Sequence, residues 1–240
     1  MCSCKRHYGL LFAVMISVFL FASLCTALSP VRAAFSSQPL LRESVILDAG
    51  HGGPDGGTVA NDGTVESQIN LQIAHRLRGI LLFLGQDVLL TRSDENDLSS
   101  PGSETLKEQK RSDLKNRAAF VNDNCPAILI SIHQNSLPGH PEVHGAQVFY
   151  NTVSPSERVA ASVQETLNMS VNHQNHKQSK AIDSTVYLMK NVICPSILVE
   201  CGFLSNTEDT RLLSSADHQK YLATAIAAGY LQYQAKEDTT

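Results

Sequence analysis

Val45–Gly57 reads VILDAGHGGPDGG, an apolar run broken by Asp48 that passes into a loop with five glycines, His51 and Asp55. A short apolar run that stops at glycine, proline and aspartate predicts a buried strand handing its last residues to a loop. Glycine tolerates positive φ and lets other atoms approach the backbone closely. A histidine placed there is held firmly with little steric cover, as a metal ligand or an acid–base group is.

Other strand ends repeat the arrangement. Ala127–Ile132 (AILISI) is a continuous apolar run, the kind buried on both faces of a parallel or mixed sheet, and it ends in His133-Gln134-Asn135. Ser196–Cys201 (SILVEC) is another and carries Glu200 just before Gly202. Asp87–Thr91 and Gly145–Tyr150 read as further strands, and Val186–Met189 as a short one. Between them lie helical patterns. Ile69, Ile73, Leu77, Ile80 and Leu84 recur at three- and four-residue steps, with Thr64 as the expected cap, Glu66 in the first turn and Gly85 as the stop. Leu114, Ala118 and Val121 mark a second helix, with Arg117 beside them. Ser154-Pro155-Ser156-Glu157 predicts the start of a third, and a last one covers Asp217–Tyr233. Ser93–Thr105 and Asn168–Lys180 read as polar loops. Strands alternating with helices, with no composition break across residues 45–235, predict a single α/β domain whose polar groups gather where strands end.

The first 34 residues differ in kind. Lys5 and Arg6 precede Gly9–Leu28, about twenty residues without a charge, which reads as an export signal or membrane anchor that places the domain outside the cytoplasm. Residues 35–44 read as a linker. Residues 1–34 hold Lys5, Arg6 and Arg32 of the 19 basic groups and no acidic one, so the remainder carries 16 against 23, a net −7. That balance argues against a nucleic-acid partner. Beyond the leader, Cys125, Cys194 and Cys201 are an odd number at no metal-ligand spacing. They read as small buried hydrophobes, one pair of which could oxidise outside the cell.

His51, His133, Glu66 and Glu200 are the chemistry-bearing set. Two histidines and one carboxylate suit zinc with its fourth position open, and a second carboxylate suits a proton shuttle. Spacing alone does not say which carboxylate does which, and no HExxH is present.

His51-Gly52-Gly53, Glu66 fifteen positions later, Ser131–Asn135 and Val199–Asn206 (VECGFLSN) together resemble the zinc-dependent N-acetylmuramoyl-L-alanine amidases of the amidase-3 type. The resemblance implies a mixed, mostly parallel sheet flanked by helices. It implies one zinc per chain on His51, Glu66 and His133, Glu200 as acid–base, and peptidoglycan as substrate. Cys201 stands where that family leads one to expect a smaller or aliphatic residue. The short apolar amino end and the Asp97-Leu98 entry to a Pro-Gly loop resemble the germination-specific branch found in spore-formers. That branch implies a spore-cortex substrate, a forespore or cortex location, and a muramic acid deacetylase acting afterwards to complete muramic δ-lactam. A non-catalytic peptidoglycan-binding module and a zinc peptidase cutting within the stem peptide are the alternatives, and Glu200 is the feature that argues for catalysis. Asn135 and His144 are candidates for touching substrate. Arg117 has two readings: a partner for a stem carboxylate, or for an aspartate of the protein.

Overall fold

The computed structural model describes residues 43–237. The expected leader at 1–34 lies outside the described residues, as does the linker up to residue 42. Helices and strands alternate as the periodicities require. Strand β1 is Ser44–Ala49, helix α1 Glu66–Phe83, β2 Val88–Leu90, α2 Leu106–Asp123, β3 Ala127–Asn135 and β4 Gln147–Tyr150. Then follow α3 (Ser156–Ser170), β5 (Lys180–Ala181), α4 (Tyr187–Asn191), β6 (Ser196–Phe203), α5 (Thr207–Leu213) and α6 (Ala216–Glu237).

The six strands form one sheet in the order β2-β1-β3-β6-β4-β5. β1 runs parallel to β2 and β3, and β3 parallel to β6; β4 is antiparallel to β6 and parallel to β5. Helices cover both faces. Val45 and Leu47, Ile128 and Ile130, and Ile197 and Val199 pack under α1, α3 and α6. Their neighbours Ile46, Leu129 and Leu198 face α2 and α4. Burying each such side chain contributes roughly 1.5–3 kcal/mol relative to exposure.

The second face changes character along the strands. Past Ile46, Leu129 and Leu198, the next residues on that face are Asp48, Ser131 and Glu200, with His133 following Ser131. Register aligns Asp48 with Ser131, and His133 with Glu200. A slip of one residue would exchange the faces and drive these polar groups into the apolar core, so core packing and site geometry are fixed by the same register.

Several local expectations are corrected. Val186–Met189 is not a strand: the chain turns helical at Tyr187 and buries Leu188 and Met189 beneath the sheet. A short apolar run cannot be told from a buried helical turn by periodicity. Helix α1 is capped by Val65, without a side-chain cap bond, while the Thr64 hydroxyl meets Ser214 instead. Helix α3 starts at Ser156, whose hydroxyl turns back to Asn151 and Val153, so Ser154 does not cap it. The strand expected at 87–91 is limited to Val88–Leu90, and that at 145–150 begins at Gln147. Helix α5, capped by Asn206 accepting from Asp209 N, was not anticipated.

Candidate metal centre

The first strand delivers His51 in a left-handed backbone conformation, φ 61°. For a residue with a Cβ this conformation costs about 1–3 kcal/mol and persists only where the surroundings enforce it. Two buried arginines do so. Arg117 on α2 donates from Nε to both oxygens of Asp113, from Nη1 to Asp48 and the Ala49 carbonyl, and from Nη2 to the His51 carbonyl (2.6–2.9 Å). Arg92 donates to the carbonyls of Ala49 (2.8 Å) and Gly50 (3.1 Å). Asp48 also accepts from Thr91 and Ser131, at 2.7 and 2.6 Å. Burial alone would raise the Asp48 pKa, but Arg117 and the two hydroxyls outweigh it and hold it down at about 2.

His51 is oriented by Asp55, whose Oδ2 lies 2.9 Å from Nδ1 and 2.9 Å from Lys110 Nζ. That bond assigns Nδ1 to Asp55 and frees Nε2, the usual way a carboxylate sets the tautomer of a ligating histidine. Nε2 faces Glu66 Oε1 at 3.3 Å, and His133 Nδ1 faces the same oxygen at 3.0 Å. Glu66, first residue of α1 and buried, also accepts from the backbone N–H of Thr58 (2.9 Å) and Gln134 (3.1 Å) and from Asn70 (3.3 Å). One ligand atom from each of His51, Glu66 and His133 lies within 4.8 Å of the others. Two glycines make the space. A Cβ on Gly50 would stand 2.2 Å from His133 Cε1 and Nε2, and one on Gly57 2.5 Å from Glu66 Oε2.

Electrostatics match a cation site. Burial lowers the His51 pKa, but its bonds to Asp55 and Glu66 reverse this and hold it up at about 9. Glu66 itself is held far below the carboxylate range: burial opposes this, and the two histidines prevail. The cluster therefore attracts positive charge. Glu200 behaves oppositely. Burial foremost, with Glu66 adding to it against the pull of the histidines, pushes its pKa up to about 7. Its Oε2 is shielded from solvent and has no hydrogen-bond partner. A cavity of about 190 Å³ opens here, walled by His51, His133, Glu200, Arg117, Tyr187 and Met189 among others.

Of the residues singled out from sequence, His51, Glu66, His133 and Glu200 thus come together. Arg117 is beside them, with its donors engaged by the protein. Asn135 ends β3 with Oδ1 accepting from Ser136 N (2.7 Å) and does not line the cavity. His144 is exposed and borders a different cavity, with Asp209 and His218. His75 is exposed and meets the Ser93 carbonyl. Sequence reading missed Asp55, Lys110, Asn70 and Arg92. A signal existed for Asp48 and Asp55: each carboxylate interrupts a stretch that has no need of charge unless a partner comes to it.

Comparison with known proteins decides the family. The profile of the N-acetylmuramoyl-L-alanine amidase family, amidase-3 type, matches residues 45–232. The chain belongs to that family. It is 34% identical over 197 residues to the germination-specific N-acetylmuramoyl-L-alanine amidase of Bacillus subtilis, covering 82% of each chain. Among solved structures it resembles the CwlD amidase of Clostridioides difficile in complex with the GerS lipoprotein. That likeness has a TM-score of 0.76 and 36% identity over 81% of this chain and 99% of that one. The amidase AmiC2 of Nostoc punctiforme is similar with a TM-score of 0.69 and 27% identity over 80% and 97%. This amidase-3 protein is thus an N-acetylmuramoyl-L-alanine amidase, and its sheet order and helix placement are those of an α/β amidase domain.

Proposed function

We propose that this amidase is zinc-dependent and acts outside the cytoplasm on spore-cortex peptidoglycan, cutting the amide between the lactyl group of N-acetylmuramic acid and L-alanine. The observation that carries the reading is the convergence of donor atoms from His51, Glu66 and His133 beside the partnerless buried Oε2 of Glu200. The residues fit a zinc ion: two imidazoles and one carboxylate, a histidine tautomer set by Asp55, and glycines where a side chain would fill the space. Zinc, when bound, supplies Lewis acidity toward a carbonyl and toward water.

The chain's own residues do the rest. Glu200 takes the proton of the attacking water on Oε2 as the water oxygen bonds to the amide carbon. When the carbon–nitrogen bond breaks, the same oxygen returns the proton to the leaving amine of L-alanine. A carboxylate whose pKa lies near 7 can serve in both directions. The apolar wall of Leu188, Met189 and Leu198 limits water around Glu200. The likeness to the germination-specific relative supports the cortex substrate, and a deacetylase that then closes muramic δ-lactam is proposed with it. A lipoprotein partner is proposed on the likeness to the C. difficile amidase held by GerS.

The test uses the purified full chain. Glu200→Gln should keep zinc and lose about 10²–10⁴-fold in kcat, the loss typical of a missing acid–base, whereas Glu66→Gln should lose zinc and rate together. Zinc content is measured beside mass spectrometry of the muropeptides released. If Glu200→Gln loses its zinc and Glu66→Gln keeps it, the two carboxylates have exchanged roles. Products cut within the stem peptide would replace the amidase assignment with a peptidase.

A further inference from the structure

Cys125 and Cys194 stand just ahead of two neighbouring strands. Each precedes a proline, Pro126 and Pro195, and each lies two residues before the first residue of its strand, β3 at Ala127 and β6 at Ser196. Those strands are parallel neighbours, joined where they begin by Leu129 N donating to the Pro195 carbonyl at 3.0 Å. The segments leading into them are stitched as well. Asn122, at the end of α2, donates to the Asn191 carbonyl (3.0 Å) and accepts from Ile193 N (2.9 Å), which draws the 122–125 turn against residues 191–194. Cys194 is buried in the apolar cluster between the sheet and α2 and α4, and Cys125 packs against that cluster from its partly buried edge. The two thiols lie close enough to interact, and with burial this contact pushes Cys194 up to about 12. Cys201 is excluded from the pairing. It belongs to the core on the opposite face of β6, with the sheet between it and Cys194.

We infer that Cys125 and Cys194 are a disulfide site that staples the entry of β3 to the entry of β6. Register sets Leu129 opposite Ser196, which offsets the two cysteines by two residues along the strands; the Asn122 bonds and the contact between the two thiols are what bring them together, as a disulfide requires. The oxidant is a disulfide compound outside the cytoplasm, either a small one or that of an oxidoreductase. The Cys125 thiolate, on the accessible side, attacks one oxidant sulfur, breaking the oxidant's S–S bond and releasing a thiol. Cys194 then gives up its proton and attacks Cys125 Sγ, displacing the second oxidant sulfur as a thiol. Two protein thiols are oxidised and one disulfide is reduced to two thiols, so the exchange balances. An odd number of cysteines in an exported domain becomes one pair and one inert buried thiol, since burial raises the Cys201 pKa strongly. The staple holds two strands whose other ends carry His133 and Glu200, without touching either.

The experiment takes the purified full chain, exposes it to glutathione disulfide, denatures it in N-ethylmaleimide and maps the peptides by mass spectrometry. The Cys125 peptide should be joined to the Cys194 peptide, with Cys201 alkylated. In parallel, a phosphine reductant should lower the thermal midpoint by roughly 5–15 °C, the range for a stabilising disulfide in a domain this size. Cys201→Ser should retain that sensitivity, and Cys125→Ser should abolish it. Alkylation of both Cys125 and Cys194 after exposure to the oxidant overturns the inference, as does either one joined to another cysteine. The mapping of the unsubstituted chain decides even if a variant does not fold.

Discussion

Gly50→Ala is the smallest change that tests how the metal centre is built. The added Cβ would stand 2.2 Å from two atoms of the His133 ring, against 3.4 Å for the near edge of ordinary contact. The ring must therefore retreat by about 1.2 Å. It cannot turn away cheaply, because Nδ1 faces Glu66 Oε1 at 3.0 Å and the backbone of the next residue, Gln134, donates to that same oxygen. Gly50 cannot yield either, since its carbonyl is held by Arg92 and Asn70. A displacement near 1 Å at a reacting centre can cost about 10²-fold in rate. Disturbing the support of a metal ligand costs about 10–100-fold in affinity. Gly50→Ala should therefore lower zinc affinity 10–100-fold and kcat/KM at least as much, while the far-ultraviolet circular dichroism stays unchanged.

The matched control is Gly79→Ala. Gly79 is exposed inside α1 and a Cβ there meets nothing within 4 Å, so this change should stabilise by about 0.5–1 kcal/mol, with zinc and rate unaltered. Zinc titration with a competing chelator, thermal melts and muropeptide release are read on both variants. If Gly50→Ala binds zinc as tightly as the parent and cleaves at the parent's rate, the close packing of His133 on the strand end is not what places the ligand.

Two further outcomes follow from the buried ions behind the site. Arg117→Met leaves Asp48 and Asp113 buried without their cation and should cost about 3–5 kcal/mol in urea unfolding; a loss under 1 kcal/mol would show that the pairing is not structural. The Asp48 pKa falls from 3.8 to about 2 on folding, so its contribution is whole above pH 3.8 and is lost as pH falls through about 2. The stability gap between the parent and Asp48→Asn should accordingly shrink by roughly 2 kcal/mol from pH 5 to pH 2, and an unchanged gap would refute the depressed pKa.

What could be read from the sequence and what could not divides along a physical line. The apolar runs at 45–47, 127–132 and 196–199 are legible because a strand buried on both faces needs little from the rest of the chain to be recognised. The polar residues that end them are legible for the same reason, since the run stops there. His51, His133 and Glu200 were therefore within reach before any coordinates, with Glu66 read in the first turn of the helix that follows, and the family motifs added the expected division of roles between the two glutamates. Val186–Met189 was misread because four apolar residues have no period long enough to separate strand from helix. Asn206, three residues ahead of Asp209, did carry a capping signal for α5.

The residues that make the centre work were illegible for a different reason. Asp55 orients His51 from four positions away, but Lys110, which pairs with Asp55, comes from a helix 55 residues further on, and no local pattern links them. Arg92 and Arg117 between them hold the carbonyls of residues 49–51, sharing that of Ala49, yet in sequence one is the end of a strand and the other a charge on a helix. Their role exists only because parallel β1, β2 and β3 bring the ends of separate segments to one edge of the sheet. The candidate ligands stood out in the sequence, whereas the strained φ of His51 and the buried arginines that hold it are properties of the assembled strand ends. A chain that kept His51, Glu66, His133 and Glu200 but lost Arg92 and Arg117 would still read as this amidase. By the geometry of those carbonyls, it would lose the backbone bonds that help keep His51 at φ 61°, where its Nε2 meets Glu66.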